Sequence, residues 1–269
     1  MSMNTTFGFI GCGNMGGALI EAVAKSISPE FIYITDQNKE KEKALACRLG
    51  VKGASVKEII ESCDYVFLGV KPQVFGELFA ELAPMLAKCE KKPVLVSMAA
   101  GISIAAVEAF ARASCGVIRI MPNTPASVGE GMILYTYNAL VSDLQIENFC
   151  NAMCKAGTLD SIEENKIDAA SALSGCGPAF VYLFAEALAD GAVQCGLPRE
   201  KAMLYAAQTI KGASELLLQS GKHPGEVKDM VTSPAGSTIE GVSALEEHGF
   251  RYADMDAVVK AYQRNVGLK

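Results

Sequence analysis

Residues 6–17 read TFGFIGCGNMGG, and this stretch decides the fold. An apolar run leads into Gly11, Gly13 and Gly16, and apolar residues then recur at helical spacing. A strand, a tight turn and a helix in this order form the context of the dinucleotide-binding fingerprint Gly-x-Gly-x-x-Gly. The glycines allow the turn and a close backbone approach, and the free N–H groups at the helix start face an anion. The stretch predicts that a cofactor pyrophosphate binds along Gly11, Cys12, Gly13, Asn14, Met15 and Gly16.

A carboxylate completes this signal at the end of the next predicted strand, 31–35. Asp36 stands there, 20 residues after Gly16. A carboxylate at this place accepts hydrogen bonds from the adenosine ribose of NAD, and it would repel the 2′-phosphate of NADP. Lys39 and Lys41 follow and can reach a phosphate, however, and Asp36 can instead cap the next helix. The residues predict a nicotinamide dinucleotide and leave open whether it is NAD or NADP.

The composition is typical of a globular protein with one large or two ordinary domains. The 269 residues carry a net charge of −6, and the isoelectric point is near 5.1. An acidic chain argues against a nucleic-acid or anionic-membrane partner, which would require a basic patch. No apolar run approaches the ~18 residues of a membrane span, and the N-terminus lacks a signal-peptide layout. We therefore expect a cytoplasmic protein.

The cysteines and histidines do not form a metal-binding pattern. The chain has nine cysteines without a Cys-x-x-Cys pair, and only two histidines. Neither a zinc site nor a disulfide framework fits this arrangement. The sequence predicts no metal site, and we expect most of the cysteines to be small core residues with reduced thiols.

The pattern of predicted elements changes near residue 162. Strands are predicted at 65–69, 93–97 and 116–120, with weaker candidates at 132–137 and 158–162, and helices at 40–49, 56–62, 73–88, 103–113 and 142–156. From residue 163 onward only helices are predicted. Apolar strands separated by helices indicate a parallel, doubly wound sheet. The predicted fold is α/β, with a dinucleotide-binding Rossmann domain over 1–162 and an all-helical domain for substrate binding and dimerisation over 163–269.

Three loops follow consecutive strands and should meet at the carboxyl edge of the sheet, where ligands of doubly wound folds bind. Their candidate cofactor contacts are Val70, Lys71 and Pro72 in the first loop, Ala99, Ala100 and Gly101 in the second, and Asn123 in the third. A single lysine on a loop is more often a cofactor contact or a solvated charge than a catalyst. We therefore expect Lys71 to contact the cofactor.

The helical half contains two glycine-rich turns, SGCGPAF at 174–180 and TSPAGSTI at 232–239, and each is predicted to open a helix. A helix start with glycine and unpaired N–H groups can hold a carboxylate, and hydroxyl groups add donors and acceptors. Serine and threonine also simply cap helices. The residues alone leave binding and capping both open.

Five motifs, in this order, resemble the pyrroline-5-carboxylate reductase family: GFIGCGNMGGAL, GVKPQ, MPNTP, SGCGPAF and SPAGSTIEGVSALE. They extend over essentially the whole chain, and the last is the most specific. The resemblance implies hydride transfer from NADH or NADPH to the C=N bond of 1-pyrroline-5-carboxylate, which gives L-proline in the last step of proline biosynthesis. It also implies subunits that interlock through the helical domain, as a homodimer or as a decamer of five dimers.

The resemblance further implies roles for site residues. Backbone amides of Ser237 and Thr238, with Gly236 adjoining, would hold the substrate carboxylate. The hydroxyl of Thr238 would contact the ring nitrogen, which makes Thr238 the catalytic residue. The three strand-end loops would line the cofactor.

The chain departs from the family pattern at two places. Cys176 stands where serine is more usual, which adds a thiol near the site. The segment 35–39 lacks the Asn-Arg or similar pair of many NADPH-using relatives, so the cofactor choice stays open.

Two alternative functions share the opening motif. The 3-hydroxyacid dehydrogenases rely on a lysine within a helix of the second domain, but Lys166, Lys201 and Lys211 lack a Gly-x-x-x-Lys-type setting beside a site loop. A nucleotide-sensing protein without enzymatic activity is the other. Such a sensor needs no second ligand site, and the hydroxyls and open amides of the second-domain turns argue against it.

Overall fold

The computed structural model describes residues 5–267, so the outermost residues of the two predicted domains, 1–4 and 268–269, lie outside the description. The strands are β1 (Phe7–Ile10), β2 (Ile32–Thr35), β3 (Lys52–Gly53), β4 (Tyr65–Leu68), β5 (Val94–Ser97), β6 (Val117–Met121), β7 (Gly131–Tyr137) and β8 (Gly157–Ser161). They form one sheet in the order β3-β2-β1-β4-β5-β6-β7-β8.

Helices alternate with these strands and then continue alone. The helices of the first part are α1 (Asn14–Ala24), α2 (Lys39–Leu49), α3 (Val56–Ser62), α4 (Phe75–Lys88), α5 (Ile104–Ala111) and α6 (Asp143–Met153). Those of the second part are α7 (Ile167–Ser174), α8 (Gly177–Gln194), α9 (Arg199–Ser220), α10 (Pro224–Met230), α11 (Ser237–Glu247) and α12 (Phe250–Val266). The predicted fold class, a Rossmann-type sheet followed by helices, is confirmed.

The strand order reverses beside β1. This strand pairs in parallel with β2 on one side and with β4 on the other, so Phe7 is in register with both Ile32 and Tyr65. The chain builds outward from β1 in both directions, which leaves a crevice above the carboxyl ends of β1 and β4. Ligands of open α/β sheets bind at such a point.

Two features of the sheet differ from the sequence-based expectation. β7 runs antiparallel to β6 rather than parallel. The connection between them, 122–130, holds only a short 3₁₀ turn, Thr124–Val128, whereas a parallel crossover needs a dozen or more residues. The other feature is β3, a two-residue exposed edge strand that no apolar run announces.

Both faces of the sheet are covered by apolar residues. Alternate strand residues point to opposite faces, so Phe9 and Phe67 stack at 4.4 Å between ring centroids on one face, in the cluster that includes α1 and α6. Ile10 and Leu68 belong to a second cluster with residues of α3, α4 and α5. A sheet covered on both faces explains why its strands are continuously apolar.

A buried arginine attaches α7 to the sheet. Arg119 on β6 is 2% exposed, and it donates to Glu164 Oε1 at 3.1 Å and to Asp168 Oδ1 at 3.3 Å. Glu164 Oε1 also accepts the N–H of Ile104 at 2.7 Å. Removing one partner of a buried ion pair leaves an uncompensated charge, so these bonds hold the start of α7 in one place.

The chain forms two compact units. One comprises the residues up to Gly175 together with those from Tyr262 onward, and the other is Cys176–Ala261. The division after residue 162 that the sequence suggests follows the end of the strands and stays a prediction.

The second unit buries few of its apolar side chains. Its buried apolar residues are alanines at the contact of α8 with α9: Ala189, Ala202 and Ala206. Large apolar side chains with more than 60% of their surface exposed include Leu183, Leu204, Leu218, Met230, Val231 and Tyr252. Large exposed apolar side chains in this number are more typical of a protein–protein contact than of a surface in water, so these helices are suited to contact another chain.

Candidate functional site

The fingerprint turn lies against the end of β4. Gly11 has a φ of +105°, and a Cβ built on it would be 2.5 Å from the carbonyl oxygen of Gly69. A side chain cannot occupy that space because the neighbouring atom belongs to the backbone. The turn therefore requires glycine for its left-handed conformation and for its close approach, as the spacing predicts.

The helix that follows presents its N-terminus without a side-chain cap. A Cβ on Gly16 would be 2.2 Å from the carbonyl oxygen of Gly11, so α1 begins directly against the turn. Gly13 is the N-cap residue, and the first turn of α1 contains no acidic side chain. The first N–H groups of a helix have no intrahelical partner, and here no carboxylate competes for them. This cradle fits the pyrophosphate of a dinucleotide.

Asp36 lies at the end of β2 and faces the fingerprint turn. Its Oδ2 accepts the backbone N–H of Cys12 at 2.6 Å, and its Oδ1 accepts that of Asn38 at 2.8 Å. The N-terminus of α2 is capped by Asn38, whose side chain accepts the N–H of Lys41, rather than by Asp36. Each carboxylate oxygen can accept a second bond, so Asp36 braces the turn and keeps capacity for a ribose hydroxyl.

Glu42, on α2, is a part of this site that sequence analysis did not identify. Its Oε2 accepts the N–H of Asp36 at 2.9 Å and is 2.6 Å from Lys39 Nζ, and its side chain is 13% exposed. It lies within a run of alternating charges, KEKEK at 39–43, whose pattern indicates only a solvated helix face. Nothing in that run distinguishes a carboxylate that reaches back to β2.

Cys12 contributes its backbone rather than its thiol. The side chain is 1% exposed and lies 3.7 Å from the carbonyl oxygen of Thr35. Burial, together with the negative charges of Asp36 and Glu42, raises the pKa of Cys12 to about 12. The thiol stays protonated near neutral pH, which makes it a poor nucleophile.

The predicted loops after β4 and β5 lie at the carboxyl ends of neighbouring strands. In the first, the N–H of Gly69 bonds the carbonyl oxygen of Ile10 at 2.8 Å, and exposed Lys71 precedes a 3₁₀ turn, Pro72–Val74. The second passes from buried Ala99 to Gly101, which has a φ of +77°. The sheet thus brings the two loops beside the fingerprint turn.

Asn123 lies in the third loop and is 9% exposed. Its Nδ2 donates to the carbonyl oxygen of Ser174 at 2.9 Å, and its Oδ1 accepts the N–H of Met132 at 2.9 Å. Both amide atoms thus hold the loop against β7 and the last residue of α7. Asn123 as a cofactor contact stays a prediction, and its side chain has a positioning role.

In the second unit, the three predicted substrate contacts begin α11. Gly236 is the N-cap residue, no side chain caps this end, and Ser237 and Thr238 are the first two helical residues, both exposed. A Cβ on Gly236 would be 2.3 Å from Ser233 Oγ. Ala235 has a φ of +56°, a strained value for a residue other than glycine. Strain of this kind accumulates where a turn serves a function.

Cys176, the departure from the family pattern, occupies the N-cap position of α8. It is a half-buried free thiol. No side chain caps the start of α8 either.

Comparison with known proteins settles the family. Residues 164–268 match the family model described as pyrroline-5-carboxylate reductase dimerisation, and residues 6–101 match the one described as NADP oxidoreductase coenzyme F420-dependent. The pyrroline-5-carboxylate reductase of Escherichia coli (strain K12) is 38% identical over 269 residues, which cover 99% of each chain. The chain belongs to the pyrroline-5-carboxylate reductase family. The resemblance seen in the sequence is confirmed. The matches support this family over the two alternatives, a 3-hydroxyacid dehydrogenase and a nucleotide sensor.

Solved structures of the family have the same fold. The pyrroline carboxylate reductase of Plasmodium falciparum, determined with NADP bound, superimposes with a TM-score of 0.84 at 32% identity and covers 98% of this chain and 97% of its own. The enzyme of Coxiella burnetii gives a TM-score of 0.90 at 29% identity, with 99% of both chains covered. The described residues therefore share the fold of solved pyrroline-5-carboxylate reductases.

Two glycines of the turn should respond differently to substitution. Gly11→Ala should lower the free energy of unfolding by ~2 kcal/mol or more, because it combines a left-handed φ with a backbone clash. Gly13→Ala should change stability little, because its φ is −61° and no atom lies within 4 Å of its Cβ position. Urea unfolding of both variants measures the difference, and equal stabilities would contradict the close contact with Gly69.

Proposed function

We propose that this chain is a pyrroline-5-carboxylate reductase that uses NADH or NADPH to reduce 1-pyrroline-5-carboxylate to L-proline, the last step of proline biosynthesis. Membership of the family over the full chain carries the proposal. The backbone cradle at the start of α1 supports the proposal. It has no room for a side chain at Gly11 or Gly16, and such a glycine turn fits a dinucleotide.

The first unit would hold the cofactor. Backbone N–H groups at the start of α1, from Gly13 to Gly16, would bind the pyrophosphate. Asp36 would accept bonds from the adenosine ribose, and the three strand-end loops would line the remainder. The reduced nicotinamide supplies the hydride to the imine carbon. The residues of the chain would hold the nicotinamide and the imine in the orientation that the reaction needs. Orientation of the reactants supplies much of the rate of such a reaction.

The second unit would hold the substrate. The uncapped start of α11 supports a carboxylate-binding role for Gly236 and Ser237, and the exposed hydroxyl of Thr238 would bond the ring nitrogen as it becomes an amine. A protonated imine is already electrophilic, so little further acid–base catalysis is required. His223 instead accepts the N–H of Gly225, which caps α10, and His248 lies at the opposite end of α11.

The subunits would pair through the helical unit. Among residues 5–267, one helical stretch, Glu164–Gln194, is long and apolar enough to cross a membrane by length and composition alone, and 11% of its apolar window is buried. It falls within the match to the dimerisation model, which supports contact with a second subunit rather than with lipid. We infer a homodimer, or a decamer built as a pentamer of dimers, in the cytoplasm, without nucleic-acid or membrane partners.

Both cofactors should serve, with NADH used at least as well as NADPH. Asp36 at the end of β2 favours a ribose with free hydroxyls over one with a 2′-phosphate.

The activity has a direct test. The protein should oxidise NADH or NADPH in the presence of 1-pyrroline-5-carboxylate and release L-proline, which absorbance of the reduced cofactor and amino-acid analysis follow together. Cofactor oxidation no faster than in a protein-free control would overturn the assignment.

Thr238→Ala should reduce kcat/KM by ~1–3 kcal/mol of transition-state stabilisation, the usual size of one hydrogen bond to a group whose charge changes. The matched control is Ser243→Ala, another exposed hydroxyl on α11, which should leave the kinetics unchanged. Equal kinetics in the two folded variants would remove Thr238 from the mechanism.

Assembly can be checked by light scattering at micromolar concentration, where we expect a dimer or a multiple of it. Leu204→Lys, on a 64% exposed leucine of α9, should weaken the assembly. Leu144→Lys, on a 59% exposed leucine of α6 in the first unit, should not. A wild-type monomer would rule out the proposed interface.

A further inference from the structure

The end of β2 carries a lysine that is already engaged. Lys39 Nζ lies 2.6 Å from Glu42 Oε2 and 3.2 Å from Thr35 Oγ1. Lys39 is therefore held at the strand end beside Asp36, where a Rossmann fold places the adenosine ribose. An ammonium at this position is the group that a 2′-phosphate needs, and here a carboxylate neutralises it.

Glu42 is the buried partner of this ion pair, and Lys39 is the exposed one. The Glu42 side chain is 13% exposed and the Lys39 side chain is 66% exposed. Glu42 also accepts the N–H of Asp36 at 2.9 Å, and a Cβ on Gly53 would be 3.2 Å from its Oε1, so the end of β2 and β3 both confine it. Because the carboxylate is confined and the lysine side chain is mostly exposed, Glu42 determines where the ammonium rests.

Other cations near β2 are directed elsewhere. Lys52 on β3 donates to the hydroxyl of Tyr33 and lies over its ring. Lys41 lines a cavity of about 390 Å³ beside the start of α1, together with Gly13 and Asn14 of the fingerprint turn. It therefore lies beside the pyrophosphate cradle. The strand end itself thus has two carboxylates, Asp36 and Glu42, against one ammonium.

We propose that Glu42 determines cofactor specificity: by holding Lys39 in an ion pair, it withholds that cation from a 2′-phosphate and biases the enzyme toward NADH. The inference rests on the proposed NAD(P)H-dependent function. Its chemistry is electrostatic, since a phosphate with nearly two negative charges must displace Glu42 from Lys39 before it gains a partner.

The test measures binding of cofactor fragments, which does not depend on turnover. Isothermal titration of the full-length protein with ADP-ribose and with 2′-phospho-ADP-ribose gives the ratio of their Kd values. Glu42→Gln removes the charge and keeps an oxygen that can accept the N–H of Asp36. It should shift the ratio about tenfold toward the phosphorylated ligand, and the shift should shrink at high salt because the contact is exposed. The ratio of kcat/KM values for NADPH and NADH should move in the same direction.

Three further variants separate the explanations. Glu40→Gln, an exposed carboxylate in the first turn of the same helix, controls for the change in net charge and should leave the ratio unchanged. Lys39→Met alone should not shift the ratio toward the phosphorylated ligand, because it leaves the negative charge of Glu42 uncompensated. Lys39→Met combined with Glu42→Gln should return the ratio to the wild-type value.

The following results would contradict the proposed role of Glu42. If Glu42→Gln binds both ligands with the wild-type ratio, or if the double variant keeps the shift, the inference is wrong. If Lys39→Met alone shifts the ratio toward 2′-phospho-ADP-ribose, the ammonium of Lys39 is not the group that Glu42 withholds, which also overturns the inference. This arm stands even where Glu42→Gln fails to fold, because Lys39 is exposed. If the wild type binds neither ligand, the cofactor site itself is refuted.

Discussion

The close approach of two backbone segments above β1 and β4 governs the candidate site. A Cβ on Gly69 would be 2.8 Å from the carbonyl oxygen of Gly11, and one on Gly11 would be 2.5 Å from that of Gly69. α1 starts against the same turn. This mutual contact places the open N–H groups of α1, the N–H of Cys12 that Asp36 accepts and the Val70–Pro72 loop around one crevice. A side chain at either glycine would separate them.

The strands of the sheet are predictable from the sequence where burial alone determines their pattern. Strands covered on both faces are continuous apolar runs, so β1, β4 and β5 stand out. The predicted helix 56–62 matches α3 in both bounds. Its start is fixed by a local capping box of Ser55 and Glu58. The direction of β7 escaped prediction because it depends on the length of its connection to β6. The two-residue strand β3 was not predicted because both of its residues are exposed and form no apolar run.

Some features of the site depend on neighbouring residues in the sequence, and others depend on distant ones. The shape of the fingerprint turn follows from glycine spacing, which is local. The side-chain bonds depend on partners far along the chain: Asp36 bonds Cys12 across 24 positions, and Asn123 bonds Ser174 across 51. No periodicity encodes such pairs. Glu42 is an example of a site residue that the sequence does not reveal. A carboxylate within an alternating charge run is expected to be solvated, and only the fold shows that the end of β2 lies beside it.

The exposed apolar faces of the second unit have a thermodynamic consequence. When the folded state of one chain gains its apolar contacts from another, mass action links folding to protein concentration. Dilution then lowers the stability of the helical part. A melting temperature has meaning only at a stated protein concentration. The sheet unit, with its own two-sided core, is the part whose stability dilution should affect least.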